Sequence, residues 1–407
     1  MKILYLHQYF NTPEMAGGTR SDEMGRRLVS YGHQVHMITS YRKEDRAEHN
    51  SWYQTEEEGI EVHWLPVPYS NKMSYKERIQ AFFKFAWRAA AKAASIECDV
   101  VFATSTPLTI ALPAVYASKK QKVPMVFEVR DLWPELPIAI GALHNPAAKM
   151  GAKWLERFAY RNSKRIVALS PGMKEGVTKT GYPAEKVEMI PNSCDIGFFN
   201  VGPEPGKQLR KEYEWLQDRP LIVYTGTIGI INGVDYLARV AGAVWEIDEE
   251  IRFLVIGEGK GKERLTGEAE KQGVLGKNFY LLPQVPKQQM PVWLSAADIA
   301  TSLFVDLKEM WANSANKFFD ALAAGKPVAI NYGGWQAEII NESGAGLVLD
   351  PNDVESSAKI LVEKIRDKEW LENAGSAAKS LAKERFDRDK LAKELEETLI
   401  AALNDMR

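Results

Sequence analysis

The sequence predicts an α/β protein made of two doubly wound, Rossmann-like units of about 200 residues each. Three observations carry that expectation. At 407 residues the chain exceeds what one hydrophobic core usually serves. Short apolar strands alternate with helix-spaced segments in both halves, which argues for parallel sheets covered on both faces. Between the halves, residues 197–220 concentrate Gly202, Pro203, Pro205, Gly206 and Pro220 and read as a linker. The expected organisation is a first domain over 1–200, a second over 201–385, and a C-terminal helix over 386–407 packing back on the first.

Taken in order, KILYLH at 2–7 is a short strand, and 19–31 carries helical spacing through Met24, Leu28 and Tyr31. Strands follow at 34–39, 61–67, 100–104, 125–129 and 165–170, the last leading into Pro171 at a helix start. The rhythm restarts with a strand at 221–225, a helix at 233–244 and a strand at 251–256. Further strands are expected at 279–282, 299–303, 327–330 and 346–349. Leu391, Leu395, Leu399 and Ala402 share one side of the last helix, so that helix should dock.

Composition narrows the function. Apolar residues make up 45% and charged residues 26%, the profile of a soluble globular enzyme. A net charge of −2 argues against nucleic acid as a partner, because phosphate backbones need a basic surface. The charge is uneven: 26 Lys/Arg against 21 Asp/Glu in residues 1–200, and 26 against 33 in 201–407. Two cysteines, Cys98 and Cys194, build neither a disulfide framework nor a thiolate metal site, and fit a reducing cytoplasm. The first ten residues lack the pattern of a signal peptide. The long uncharged run 100–118 contains Thr104, Ser105, Thr106, Pro107 and Pro113, and reads as strand, loop and helix start instead of a membrane span.

Ligands of doubly wound sheets bind at the carboxyl ends of the strands, so the loops there hold the candidates. After the first strand, Gly17–Gly18 lets the backbone approach a ligand, and the helix that follows presents free N–H groups to a diphosphate. Gly257 and Gly259 imitate a dinucleotide fingerprint, but Lys262 stands where the third glycine belongs; a glycine turn lining another ligand is the better reading. Lys317 and Asp320, three apart on one helix, suit phosphate and ribose hydroxyls, or else form a surface ion pair. Asp131 and Glu135 follow a strand and can steer an acceptor hydroxyl; alternatively Asp131 caps a helix starting at Pro134. Asp387 and Asp389 have a metal-binding spacing but open a helix, where acidic residues are ordinary. The six histidines show no metalloenzyme spacing; His33 and His36 read as a turn and a strand face.

The ordered set of these segments resembles the family 4 glycosyltransferases of GT-B fold. The turn Gly17–Gly18, FEVRDLWPE at 127–135, IPNSCD at 190–195, GTIG at 226–229, IGEG at 256–259 and NKFFDALAAGKPV at 316–328 carry the resemblance, with GGWQAEII at 333–340. The 127–135 run looks like the branch that acts on bacterial surface polysaccharides such as O-antigen and capsule, fucosamine-transferase-like enzymes included. The resemblance implies two domains facing a central cleft and a retaining transfer from a nucleoside diphosphate sugar to a lipid-linked glycan. UDP is the first candidate nucleotide and an N-acetylated aminosugar the first candidate sugar. No cofactor and no metal are implied. Gly17–Gly18 and Lys317/Asp320 would be two halves of one donor site: the glycines at the phosphates or sugar, Asp320 at the ribose, Val285 at the base through its backbone, Glu338 beside the nucleotide. Gly229 and Glu258 join the donor set, and Asn192 ends the last strand of the first domain on the acceptor side with Glu135.

Departures from the family pattern bear on charge. Asp320 replaces the second glutamate of a pair eight apart, and Ala312 the first. Thr227 and Asn232 stand where Arg and Lys often bind the diphosphate, and Arg130 where a histidine is common. Lys317 is therefore expected to carry the burden, with Arg130 and Asp131 completing the catalytic set. Two other readings remain open: a nucleotide-sugar epimerase needing no acceptor, and a non-catalytic sugar-nucleotide-binding protein.

One helix points to a membrane. Ser74 and Glu77 form a capping-box pattern, and Lys76, Lys84, Arg88 and Lys92 recur at multiples of four among Phe82, Phe83, Phe85 and Trp87. The 75–94 helix is expected to meet anionic lipid at the inner face of the cytoplasmic membrane, or else to pack its aromatics inward.

Overall fold

The structure, a computed structural model, describes residues 1–406 apart from 16, 44–50, 71–72, 140 and 142. The chain divides into two compact units, Met1–Pro191 with Asp389–Arg407, and Asn192–Arg388.

The first unit is a sheet of eight strands: β1 (Lys2–Leu6), β2 (Gln34–Tyr41), β3 (Tyr53–Glu57), β4 (Ile60–Pro66), β5 (Val100–Thr104), β6 (Met125–Val129), β7 (Arg165–Ala168) and β8 (Val187–Met189). They run in the order β3-β4-β2-β1-β5-β6-β7-β8. All neighbours pair in parallel except β3, which runs antiparallel to β4 at the edge. Sequence patterning misses β3 because YQTEE offers no apolar face. Its helices are α1 (Arg20–Ser30), α2 (Tyr75–Ala93), α3 (Ala111–Gln121), α4 (Glu135–Ala139), α5 (Pro146–Arg161) and α6 (Pro171–Lys179). Every residue of β5 and β6 is buried, as expected of strands covered on both faces.

The second unit opens with α7 (Ile196–Phe199) and α8 (Glu204–Lys211), then alternates β9 (Leu221–Thr225), α9 (Asp235–Trp245), β10 (Arg252–Ile256), α10 (Lys262–Lys271), β11 (Phe279–Leu282), α11 (Met290–Ala296), β12 (Ile299–Ser302), α12 (Asn316–Ala323), β13 (Val328–Ile330), α13 (Trp335–Ser343), β14 (Gly346–Val348), α14 (Val354–Arg366) and α15 (Lys368–Arg385). Its parallel sheet has the order β11-β10-β9-β12-β13-β14. Alternation along β9 feeds two cores: Ile222 and Tyr224 pack with α9 and α14, while Leu221 and Val223 pack with Trp293 and Ala296 of α11.

The segment expected as a linker is corrected here. Residues 197–220 contain α8, which lies so close to α11 that a Cβ on Gly206 would sit 2.5 Å from the Ala296 nitrogen. Arg210 then donates to the Ala296 carbonyl and to Asp298. Gly206 is there for close packing, and proline stands in the first turn of α8.

The last helix, α16 (Arg388–Asn404), buries Leu391, Leu395, Leu399 and Ala402 and docks on the first unit. Glu396 meets His33 Nε2 at 2.7 Å, Asp389 accepts from Arg27 at 2.6 Å, and Asp405 pairs with Arg165. The two aspartates with metal-like spacing are thereby separated: Asp389 faces Arg27, whereas Asp387 lies beside Cys194 in a short strand bridge.

Candidate active site

In the second unit the loops after β9 and β10 fold onto each other. Gly226 N–H donates to the Ile256 carbonyl and Ile228 N–H to that of Glu258, while Gly261 N–H returns to Ile228. A Cβ on Gly257 would stand 1.9 Å from the Gly226 oxygen, and one on Gly259 2.3 Å from the Ile228 oxygen. Gly257 and Gly259 are therefore glycines because two backbones touch.

Lys317, in the first turn of α12, reaches under this double loop. Its Nζ donates to the Tyr224 hydroxyl at 2.6 Å and lies 4.3 Å from the centre of that ring and 5.8 Å from that of Phe304. The Tyr224 hydroxyl in turn donates to the Thr227 carbonyl at 2.8 Å. Gly226, at φ +125°, places its missing Cβ 3.4 Å from Lys317 Cε. Among the described residues no carboxylate pairs with Lys317. Burial pushes its ammonium from the usual 10.5 down to about 7. The surface ion pair with Asp320 is not formed; Asp320 instead lies toward Cys194, whose thiol it helps burial to raise.

Several of the expected donor residues also have partners within the second unit. The Asn232 side-chain oxygen closes its own turn by accepting from Gly229 N–H at 3.1 Å. Glu258 pairs with Lys262 one turn on, at 2.8 Å. Val285 packs against the Trp293 core. Asn192 is buried and donates to Ser314 from its backbone N–H, at 3.0 Å, and from its side-chain amide. The second unit begins with it. Thr227 and Glu338 are exposed, Glu338 in the first turn of α13. Before that helix Gly333 seats the Trp311 ring and Gly334 lies against the Trp311 Cβ and backbone carbonyl. The Trp311 indole N–H is buried with no hydrogen-bond partner among the described residues.

In the first unit, Gly17–Gly18 is exposed ahead of α1, and Gly17 has φ +131°. Asn11 holds the turn by donating to the Gly18 carbonyl at 3.1 Å while accepting from Arg42. The helix proper begins at Arg20. Behind it sits a polar network. Arg20 donates twice to Glu128, at 2.8 and 3.0 Å, and to the carbonyls of Pro191 and Ile190. Burial alone would raise the Glu128 carboxyl, but Arg20 and Arg130 hold it below the usual range. Thr104 donates to its other oxygen at 2.6 Å. Arg130 touches His7 at 3.4 Å, and His7 meets Ser21 at 2.8 Å. Burial, Arg130 and Arg42 keep His7 neutral, well below its usual range. Asp131 accepts from Thr106 at 2.9 Å, and burial raises its carboxyl. The capping alternative fails, because α4 starts at Glu135 and Asp131 is committed to Thr106. Glu135 is exposed and raises buried Glu156, which burial carries to about 7.

Sequence reasoning gave no role to Arg20, Glu128, Tyr224 and Glu156, although Arg20 follows the Gly17–Gly18 turn closely and Glu128 lies in the 127–135 run. It also treated the histidines singly, although His36 and His63 stack 6.0 Å apart on neighbouring strands. Burial, with Lys92 nearby, lowers the His63 imidazole to about 4.

Helix α2 divides its aromatics: Phe82 and Phe85 are buried, while Phe83 and Trp87 stand 53% and 83% exposed. Its capping box at Ser74 and Glu77 is formed. A second helix, α5, repeats the pattern unforeseen, with exposed Met150 and Trp154 among Lys149, Lys153, Arg157 and Arg161 around a groove of about 660 Å³. No helix among the described residues is long and apolar enough to cross a membrane.

Comparison with known proteins fits this geometry. Residues 16–193 match the family described as "Glycosyl transferase 4-like domain", and residues 206–381 match "Glycosyl transferases group 1". The chain belongs to the family 4-like glycosyltransferases of GT-B fold. This glycosyltransferase is 24% identical, over the full length of both chains, to the "Putative colanic acid biosynthesis glycosyl transferase WcaI" of Escherichia coli K12. It is 26% identical over 227 residues, 54% of this chain and 56% of the other, to the Escherichia coli "UDP-Gal:alpha-D-GlcNAc-diphosphoundecaprenol alpha-1,3-galactosyltransferase". Its fold is that of Anabaena Alr3699/HepE, solved with UDP and glucose, at TM-score 0.72, 16% identity and coverage of 98% of this chain and 100% of that one. Sucrose-phosphate synthase from Thermosynechococcus elongatus shares it at TM-score 0.78 and 16% identity, over 98% and 99% of the two chains.

Proposed function

We propose that this glycosyltransferase moves a sugar, with retention at the anomeric carbon, from a nucleoside diphosphate sugar to a lipid-linked glycan during surface-polysaccharide synthesis. UDP is the favoured nucleotide and an N-acetylated aminosugar the favoured sugar. The carrying observation is Lys317: a cation beneath a strand-end loop, over two aromatic rings, with no carboxylate to neutralise it. Leaving a charge so buried is unfavourable unless an anion completes it. A diphosphate is such an anion, and its negative charge grows as the sugar departs, so Lys317 favours the transition state over the ground state. Asp320 on the same helix is the ribose partner, and Glu338 and the Val285 backbone complete the nucleotide side.

In this mechanism the bond from the anomeric carbon to the phosphate oxygen breaks while the acceptor hydroxyl attacks from the same face. The hydroxyl proton goes to the departing phosphate oxygen, so no covalent enzyme nucleophile is needed. Arg130 and Asp131 steer the acceptor, with Glu135 at the rim. No metal takes part.

The acceptor reading draws support from the galactosyltransferase relative, whose name specifies a diphosphoundecaprenol-linked acceptor. Exposed Phe83 and Trp87 among Lys76, Lys84 and Lys92 suit an interfacial helix at the inner face of the cytoplasmic membrane, and α5 adds a second such face. The test is a panel of UDP-, GDP- and dTDP-sugars with and without diphosphoundecaprenol-linked acceptor. Acceptor-dependent consumption of one donor is expected. Conversion of a donor without acceptor would mark an epimerase, and no turnover under any condition would sink the transferase reading. Vesicles containing anionic lipid should carry the protein upward on flotation, and Trp87→Ala should weaken that several-fold.

A further inference from the structure

Three ligand-type side chains outside the proposed sugar-transfer site meet on the sheet of the first unit. His36 lies on β2, and Glu61 and His63 lie on its parallel neighbour β4. The register sets His36 opposite Glu61 and Ile38 opposite His63, so all three side chains stand on one face within two residues of strand length. His36 Nδ1 is 3.4 Å from one Glu61 oxygen, and His63 Nε2 is 3.2 Å from the other. The three donor atoms all lie within 4.8 Å of one another.

His63 is 2% exposed, yet neither of its ring nitrogens, nor Nδ1 of His36, has a hydrogen-bond partner among the described residues. Such buried polar atoms are normally satisfied. Gln54 donates to Glu61 at 2.7 Å and so orients the carboxylate from the edge strand β3.

We propose that His36, Glu61 and His63 bind a late first-row divalent cation of the zinc class, tying β2 to β4. Two imidazoles and one carboxylate are a common zinc donor set. Donors about 2.1 Å from a tetrahedral centre stand about 3.4 Å apart, close to both spacings from Glu61. Glu61 is half-exposed, which leaves room for entry and for water as the fourth ligand. The Lys92 ammonium lies close enough to act on His63, and the Glu61 carboxylate opposes that repulsion. His36 is the third residue of an eight-residue strand, away from the carboxyl end where ligands of such sheets bind. The ion is therefore structural and separate from sugar transfer.

The experiment uses tag-free, chelator-stripped full-length protein. Zinc binding is followed by calorimetry, cobalt binding by visible absorption, and melting temperature is recorded with and without zinc. One equivalent should bind with a Kd of about 10 μM or tighter and raise the melting temperature. His63→Ala should weaken binding at least tenfold. Glu61→Gln, at a half-exposed position that leaves the fold intact, should weaken it about tenfold. Wild-type binding weaker than about 1 mM, or affinity unchanged in Glu61→Gln, would overturn the proposal. Sugar transfer is read separately and stands or falls on its own.

Discussion

Arg20 in the first unit and Lys317 in the second are both cations drawn out of water, and their surroundings differ in kind. Arg20 is met inside the protein by Glu128 and two backbone carbonyls. Lys317 is met by one neutral hydroxyl and two ring faces. A satisfied cation holds a fold together; one left without an anion is strained until a ligand supplies it. Where two buried charges occur in one enzyme, the accounting of partners separates scaffold from site better than burial does.

The largest effect should come from breaking the satisfied pair. Arg20→Met strands the Glu128 carboxylate in a dry interior, which costs about 3–5 kcal/mol. Urea unfolding should show it as a lowered midpoint. Adding Glu128→Leu should restore much of the loss, because the uncompensated charge goes with it. A loss below about 1 kcal/mol for Arg20→Met would mean the two cations are not the opposites described.

Lys317→Met should behave in the reverse manner. Stability at neutral pH should hold or rise, since a buried charge without a counter-ion is removed and the Tyr224 hydroxyl keeps its bond to Thr227. Donor affinity should fall about 100-fold, equivalent to about 2.7 kcal/mol. Calorimetry with the nucleotide-sugar and a melting curve, run together, check both signs. A variant that loses stability but keeps affinity would assign Lys317 to the scaffold.

The pH dependence follows from the same group. Its folded value of about 7 lies below the usual 10.5 because of burial. Between those values the unfolded chain holds a proton that the folded chain has released, so stability rises with pH across that window and is lost as pH falls through about 7. Donor affinity runs the other way: it is greatest below about pH 7 and falls up to about tenfold per unit above it. A nucleotide-sugar should be the ligand, because a free terminal phosphate titrates near pH 6. A slope that persists in Lys317→Met would assign the titration elsewhere.

These contrasts were only partly legible in the sequence. The strand-and-helix rhythm, the glycine turn and the Lys317–Asp320 helix are local patterns, and local patterns survive in one dimension. Arg20 and Glu128 are 108 residues apart, so nothing in the spacing announces that they meet. The 197–220 segment misled because proline also opens helices and glycine also allows close packing: proline stands in the first turn of α8, and Gly206 is there for α11. Asn232, Glu258 and Asn192, expected to serve ligand or acceptor, each also have a partner within the second unit that the spacing did not announce. Such partners meet only when the chain folds.

The smallest effect tests whether Lys317 acts alone. Thr227 is exposed in the loop that Tyr224 braces, at a position where the resemblance leads one to expect a basic residue. Thr227→Lys adds a flexible, well-hydrated cation near the same anion. An exposed charge in water contributes about 0.2–1 kcal/mol, so donor affinity should rise no more than about fivefold, and less at high salt. In the Lys317→Met background the added lysine should recover only that fraction of the lost affinity, because it is neither desolvated nor held in place. Full recovery would show that charge near the diphosphate is sufficient wherever it sits, and that the buried position of Lys317 adds nothing.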